Sequence, residues 1–355
     1  MDVGLIGLPL AGKTTVFNLL TGLNAETNDF GSGKTESRRG LAPVPDRRLD
    51  RLTELYHPRK VTPAQITVVD VPGLNRTESG GPNRFLNDVR LVDALVQVVR
   101  GYSSDLLGAA SPLNDIEEME LELGLSDLDL LEKRRTRIGT SKKVTAELKQ
   151  EMELIDRLIR ALENDQRLNQ MDLQEDELRL IRGYQFLTLK PAVWVINLDD
   201  QTFQSGDYPD RDAINALARD KDVPVVLMAA ALEEEMEELA PEDRAAFMQD
   251  LGIEKSGLAR VAQAIYRKLG LLSFLTAGED EVRAWTIAQN TSAKAAAGKI
   301  HSDIERGFIR AEVVAFSDLD HWGSMAKAKE QGHVRLEGKE YVMKDGDVVN
   351  FRFNV

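Results

Sequence analysis

The chain contains no cysteine, which excludes disulfides, thiolate metal sites and cysteine nucleophiles and fits a reducing compartment without requiring one. Only four histidines occur in 355 residues, too few for a histidine-rich metal centre. No apolar run reaches the length that spans a bilayer, and no basic, apolar, small-residue leader precedes the first strand, so a soluble cytoplasmic protein without membrane association is expected. Positive charge is not in excess either. The 45 lysines and arginines face 59 aspartates and glutamates, a net charge of -14, which argues against nonspecific polyanion binding and leaves only a local basic patch open. Internal repeats and low-complexity segments are absent. A chain of this length can bury a substantial core without staples, as two or three domains, and a monomer is expected.

What is present is an alternation of short β-rich runs and amphipathic helices from residue 1 to about 110, including Gln65 to Val71 and Ala94 to Val99, which predicts an α/β sheet. Between about 112 and 189 the texture becomes long, charge-rich and poor in glycine. There Leu148, Met152, Ile155, Ile159 and Leu162 recur at steps of four and three, the seam of paired helices. A solvated hairpin and a partner-binding arm are equally compatible with that pattern. At Pro191 the α/β texture returns with Ala192 to Ile196 and Val223 to Met228, so the helical segment reads as an insertion into one domain. After a joint at Thr276 to Glu279, residues 280–355 predict a compact tail with strands at Val282 to Ile287, Arg310 to Ala315 and Val348 to Phe353. The expected partition is therefore 1–111 and 191–279 for a divided α/β domain, 112–190 for the helical arm, and 280–355 for the tail.

Residues 7 to 14 read Gly-Leu-Pro-Leu-Ala-Gly-Lys-Thr, directly after the apolar strand Val3 to Ile6 and directly before a helical run from Thr14 to Leu20. This is a phosphate loop in its proper strand and helix context. Gly7 and Gly12 let the loop residues Leu8, Pro9, Leu10 and Ala11 wrap their backbone around a polyphosphate with the available N–H groups inward, Lys13 reaches β- and γ-phosphate oxygens, Thr14 ligates Mg²⁺, and Thr15 continues the helix whose positive end faces the anion. Asp70-Val71-Pro72-Gly73 follows the strand Ile66 to Val69: the Asp is placed to hold Mg²⁺ through water and the Gly73 amide to approach the γ-phosphate. Between the two motifs, Thr35 lies in a polar, glycine-bearing stretch and is a candidate to close over Mg²⁺. Asn197-Leu198-Asp199-Asp200 ends the strand Ala192 to Ile196, where a purine would sit at the sheet edge. Guanine-specific switch proteins carry Asn-Lys-x-Asp at such a place. Here Asp200 keeps the carboxylate and Leu198 replaces the lysine, with apolar cover of the purine face as its expected role. Ala229-Ala230-Ala231 occupies the second base-contacting loop and offers backbone groups only.

With these motifs in place, the chain resembles the YchF, or Obg-like ATPase, family of P-loop proteins. The resemblance rests on Pro43-Val44-Pro45-Asp46 with Arg48-Leu49, on Phe85-Leu86 to Val99, on Leu187-Thr188 with Lys190-Pro191, and on Leu232-Glu233 to Leu239. Its most specific part is the tail: Glu281-Val282-Arg283-Ala284-Trp285-Thr286, the run His301 to Glu312, and Asp345-Gly346-Asp347 with Phe351-Arg352-Phe353. The resemblance implies a P-loop NTPase of the Ras-like G-domain type with an inserted coiled-coil arm and a C-terminal β-grasp TGS domain. It also implies hydrolysis of ATP, with GTP as the alternative, Mg²⁺ as cofactor, and the ribosome or ribosomal RNA as partner in translation and stress control.

Three departures from the family pattern bear on chemistry. Leu10 stands where relatives usually carry an Asn that helps hold a monovalent cation, which argues against potassium activation. Asp200 stands where most carry Glu, and the shorter acid is the one guanine readers use. The second switch, Asn75 to Asn83, is shorter than usual. Leu74 follows the Asp70 motif, as a hydrophobic residue does in relatives, where small switch GTPases have a water-orienting glutamine. Lys13, Gly73 and Mg²⁺ are then left to stabilise the transition state. Two functions follow as alternatives: a slow ATPase switch, or a nucleotide-gated ribosome- or RNA-binding protein with GTP preference and negligible hydrolysis. A kinase or recombination-type ATPase is disfavoured by the lack of a catalytic Glu after Asp70. In the tail, His301, Asp303, Arg306 and Arg310 read equally as a surface polar network or as RNA contacts, Trp285 and Trp322 read as core, and the acidic run Glu233 to Glu238 reads as a solvated helix face.

Overall fold

A computed structural model describes residues 1–23, 37–71, 86, 89–104, 108–141, 145–253 and 255–354, with backbone only at 241 and 245. Along the chain run β1 (Asp2–Ile6), α1 (Lys13–Thr21), β2 (Arg38–Val44), α2 (Arg47–Tyr56), β3 (Lys60–Thr62), β4 (Ala64–Asp70) and β5 (Ala94–Arg100). The helices α3 (Pro112–Gly139), α4 (Ala146–Glu163) and α5 (Glu175–Ile181) follow, then β6 (Ala192–Asn197), α6 (Asp200–Ser205), α7 (Arg211–Asp220), β7 (Val225–Met228), α8 (Ala230–Glu238), α9 (Pro241–Asp250) and α10 (Gly257–Lys268). The remainder comprises β8 (Leu271–Ala277), β9 (Glu281–Ala288), α11 (Ala293–Ile300), α12 (Ser302–Arg306), β10 (Phe308–Ala315), α13 (Phe316–Trp322), α14 (Met325–Glu330), β11 (Arg335–Glu337) and β12 (Asp347–Phe353). Two compact units result, one built from Met1–Leu41 with Thr67–Val261 and the other from Ala42–Ile66 with Ala262–Val355.

The first sheet has the order β2-β4-β1-β5-β6-β7. Its β1–β4, β1–β5, β5–β6 and β6–β7 pairs are all parallel. The apolar runs explain this: β6 is buried at every position and β5 at all but Arg100, as strands are when helices cover both faces. Register then collects the motifs. Leu5 pairs with Asp70 and Val96, Val99 with Ile196, and Asn197 with Met228, so the carboxyl ends of β1, β4, β6 and β7 lie along one edge. That edge is where ligands bind in open parallel sheets.

The helical segment is not a separate body from its first residue. Ile116, Met119 and Leu123 on the first half of α3 join the sheet core with Trp194 and Ile196, and only the second half, through Leu131 and Ile138, packs with Leu154, Ile155, Leu158 and Ile159 of α4. The expected seam holds, with Ile155 and Ile159 buried and Leu148, Met152 and Leu162 half-buried. Between the halves sits Asp127, fully buried, accepting from the Arg90 guanidinium at 2.7 Å, from the Leu187 and Thr188 amides at 3.0 and 2.8 Å, and from the Thr188 hydroxyl at 2.8 Å. Every lone pair of this carboxylate is engaged, as an uncompensated buried charge would be costly.

The second unit is a sheet of order β11-β10-β12-β8-β9-β3, antiparallel at β8–β9, β10–β12 and β10–β11 and parallel at β12–β8 and β3–β9. Ala293, Ala296 and Ala297 of α11 pack on Phe274, Phe308 and Phe351. Three expected strands appear as β9, β10 and β12, and the Lys344 to Asp347 turn precedes β12, its Gly346 at φ 84°. Two features differ from the expected partition. The unit starts before residue 280, because β8 is one of its inner strands; the run Leu-Leu-Ser-Phe-Leu-Thr-Ala lacks the alternation that marks a half-exposed strand. It also takes in residues 42–66, where Lys60, Val61 and Thr62 pair with Glu281, Val282 and Arg283, and Arg48 reaches Asp345 at 2.8 Å. These are long-range pairings that local pattern does not encode.

Candidate functional site

The loop from Gly7 to Thr14 joins β1 to α1, and its two glycines are obligatory for different neighbours. At Gly7, with φ 151°, a Cβ would stand 2.3 Å from the Val98 carbonyl oxygen; at Gly12, with φ 91°, it would stand 2.4 Å from Asn197 Nδ2. Any side chain would push the loop off the sheet edge. Lys13 is 8% exposed and donates to the Gly7 and Leu8 carbonyls at 2.9 and 2.8 Å, so its ammonium lies over the hollow of the loop. Burial pulls its pKa down to about 8, against the upward pull of the Asp70 carboxylate. Pro9 is exposed, Leu8 and Leu10 are half-buried, and Ala11 is buried.

Asp70, at the end of β4, is half-buried beside Lys13, Arg38 and the Thr14 hydroxyl. Burial raises its carboxyl above the usual range, and those three neighbours offset part of the rise. Thr14 and Asp70 thus bring a neutral and an anionic oxygen together, the hard donor types that Mg²⁺ takes. The remaining expected members of this group, Thr35, Gly73 and Leu74, lie outside the described residues, as does the stretch Asn75 to Asn83. Thr15 is half-buried in the first turn of α1.

On the base side the structure assigns roles that differ in part from those expected. Asn197, 5% exposed, donates through Nδ2 to the Ala11 carbonyl at 3.2 Å and accepts through Oδ1 from the Ala230 amide at 3.0 Å. Both ends of its amide therefore tie the phosphate loop to the amino end of α8. Leu198 does not lie on the open surface as a purine cover; at 2% exposure it belongs to the sheet core, packed where Gly101 leaves room for it. An apolar side chain replacing a lysine turns inward for the hydrophobic gain. Asp199 caps α6 by accepting from the Thr202 amide at 2.9 Å, which holds its carboxyl below the usual range. Asp200, one residue on, is exposed at the same edge. The expected second base-contacting loop is instead the amino end of α8: Ala229, its N-cap, and Ala230 are buried and Ala231 is exposed, all without polar side-chain groups.

Residue patterns missed several participants. Tyr102, after β5, donates its hydroxyl to the Leu10 carbonyl at 2.9 Å, and Arg100 clamps the same loop through the Tyr102, Gly108 and Ala109 carbonyls. Nothing in the sequence marks these, since the contacts span ninety residues of chain in one case and depend on loop shape in the other. The acidic run on α8 also needs correction. Glu233 is not solvated but 3% exposed, accepting from the Gly257 amide at the start of α10, and burial raises its carboxyl. Leu232, Glu233 and Met236 share the inward helical face, and only Glu234, Glu235, Glu237 and Glu238 meet solvent. In the second unit His301 caps α12 and Asp303 pairs with Arg306; half-buried Trp285 stacks on Phe274 under the Arg283 guanidinium.

Comparison with known proteins agrees with this geometry. The family model described as a 50S ribosome-binding GTPase matches residues 2–126, and the C-terminal YchF GTPase model, described as a protein of unknown function, matches residues 271–354. The chain is 42% identical over 360 residues to the ribosome-binding ATPase YchF of Haemophilus ducreyi, covering 99% of each, and 40% identical over 364 residues to that of Bacillus subtilis, covering 100% of each. The structure of the Schizosaccharomyces pombe YchF GTPase superposes with a TM-score of 0.85 at 29% identity, over 99% of this chain and 97% of that one. The fold is that of a P-loop GTPase domain with a second α/β unit, and the chain belongs to the YchF family.

Proposed function

We propose that this chain binds ATP with Mg²⁺ and hydrolyses it slowly, as a cytoplasmic conformational switch that acts on the ribosome. The observation that carries the proposal is the buried Lys13 ammonium, held by loop carbonyls and offset only in part by Asp70 at the mouth of a helix-terminated glycine loop. A triphosphate supplies anionic charge beyond that of Asp70 to this desolvated cation, and Lys13 exchanges Gly7 and Leu8 for β- and γ-phosphate oxygens. Backbone N–H groups of Leu8 and of Leu10 to Thr15 hold the remaining oxygens. Thr14 and Thr35 would ligate the metal and Asp70 would hold it through water, and the bound Mg²⁺ neutralises phosphate charge. Leu74 cannot orient a water molecule, so turnover rests on Lys13 and the Gly73 amide and is slow.

Asn197 sets the spacing between the phosphate loop and the base loop, while Asp200 and the Ala229–Ala231 main chain meet the base edge. The names of the relatives support the ribosome as partner. In this reading the α3–α4 hairpin is a coiled-coil arm, the C-terminal sheet is a β-grasp TGS domain, and residues 42–66, lying between Thr35 and Asp70 in the chain, carry the switch state to it. The exposed Asp200 favours a second reading, GTP preference with negligible hydrolysis. Parallel titration with labelled ATP and GTP, followed by single-turnover hydrolysis, separates the two. Lys13→Ala is expected to abolish binding or turnover; ATP and GTP affinities and turnover all unchanged in that variant would refute the nucleotide reading.

A further inference from the structure

We propose that Tyr102 is a positioning residue for the phosphate loop: its hydroxyl holds the Leu10 peptide in the left-handed conformation that aims the loop at a triphosphate. The inference rests on the nucleotide reading above and concerns how this chain keeps the loop in shape. Leu10 has φ 62°, in the region that L-residues with a Cβ avoid, and the residue is neither Gly nor Asn. Such a conformation persists only where the surroundings over-determine it. Inside the loop Lys13 holds the Gly7 and Leu8 carbonyls, ahead of Leu10, and the contact that closes across Leu10 is a long one, Ala11 amide to Leu8 carbonyl at 3.4 Å. The Leu10 carbonyl instead takes the Tyr102 hydroxyl at 2.9 Å.

Tyr102 is itself anchored. Arg100 Nη1 donates to the Tyr102 and Gly108 carbonyls at 3.0 and 3.2 Å, Nη2 donates to Ala109 at 3.1 Å, and Ser104 and Gly108 exchange main-chain hydrogen bonds of 3.2 and 2.8 Å. Gly101 donates to the Asn197 carbonyl at 2.7 Å and lies so close that a Cβ there would be 2.5 Å from Leu198 Cδ2. The tether therefore stands on the ends of β5 and β6. Tyr102 is half-buried, and burial pushes its phenol up, so the hydroxyl stays a donor through the neutral range. Together with the Asn197 to Ala11 bond, it secures two successive peptides, Leu10 and Ala11, from separate strand ends.

The test removes only the hydroxyl. In Tyr102→Phe, titration with fluorescent ATP and Mg²⁺ is expected to give Kd and KM raised about fivefold, the loss of one partly buried hydrogen bond, with kcat within about twofold. In a Leu10→Gly background the glycine adopts positive φ unaided, and the same Tyr102→Phe change is expected to alter Kd less than about twofold. A general loss of packing would instead lower Tm and carry the same penalty in both backgrounds. Wild-type affinity in Tyr102→Phe, or an equal penalty in the Leu10→Gly background, overturns the tether and leaves nucleotide binding standing. If the wild-type protein binds neither ATP nor GTP, the nucleotide reading falls and the tether falls with it.

Discussion

Nucleotide affinity should collapse above pH 8, and the size of the effect follows from Lys13. In the folded chain this group titrates at about 8 where an ordinary lysine titrates at 10.5, because its ammonium is desolvated at 8% exposure and compensated only in part by Asp70. Between those values the unfolded chain binds the proton that the folded chain has released, so folding stability rises with pH across the window. Equivalently, at neutral pH holding the charged form costs about 3 kcal/mol, at 1.36 kcal/mol per pH unit. A triphosphate placed against the ammonium raises its pKa again, and if the ordinary lysine value of 10.5 is restored, binding takes up a proton. With apo and bound values of about 8 and 10.5, uptake is about half a proton per nucleotide at pH 8, and affinity falls roughly 25-fold from pH 7 to pH 9.5, about 2 kcal/mol. Calorimetric titration at pH 8 in two buffers of different ionisation enthalpy measures the uptake directly. Fluorescence titrations from pH 7 to 9.5, with circular dichroism to follow the fold, measure the affinity. A flat affinity profile with no proton uptake would refute the view that a desolvated Lys13 is what a triphosphate repairs.

Three further outcomes follow from the same geometry. Asn197→Ala unties the Ala11 and Ala230 main chains and should weaken ATP and GTP alike by about tenfold, at the upper end of what a lost buried hydrogen-bonding pair costs; Asp200→Ala should instead change the ATP to GTP ratio, and parallel titrations of both variants check the division of labour. Gly12→Ala forces a Cβ to within 2.4 Å of Asn197 Nδ2 at φ 91° and should abolish nucleotide binding with the far-ultraviolet spectrum intact. Asp127→Ala leaves the Arg90 guanidinium buried without its anion and should destabilise the first unit by about 3–5 kcal/mol, measurable as a shifted urea midpoint.

The phosphate loop was legible in the sequence because its requirements are local: two glycines, a lysine and a threonine at set spacing between a strand and a helix. Asp70, the apolar strands β1, β5 and β6, and the seam residues Ile155 and Ile159 were legible for the same reason, since periodicity and strand ends are properties of neighbouring residues. What the side chains do once the strand ends meet was decided only in three dimensions. Leu198 enters the core, Asn197 joins the phosphate loop to the amino end of α8, Glu233 is buried to cap α10, and Tyr102 reaches Leu10 from another strand. The membership of residues 42–66 in the C-terminal unit depends likewise on the pairing of β3 with β9 and of Arg48 with Asp345. Turn chemistry and hydrophobic period act over a few residues, whereas burial and hydrogen-bond partnership depend on which distant segments share a surface.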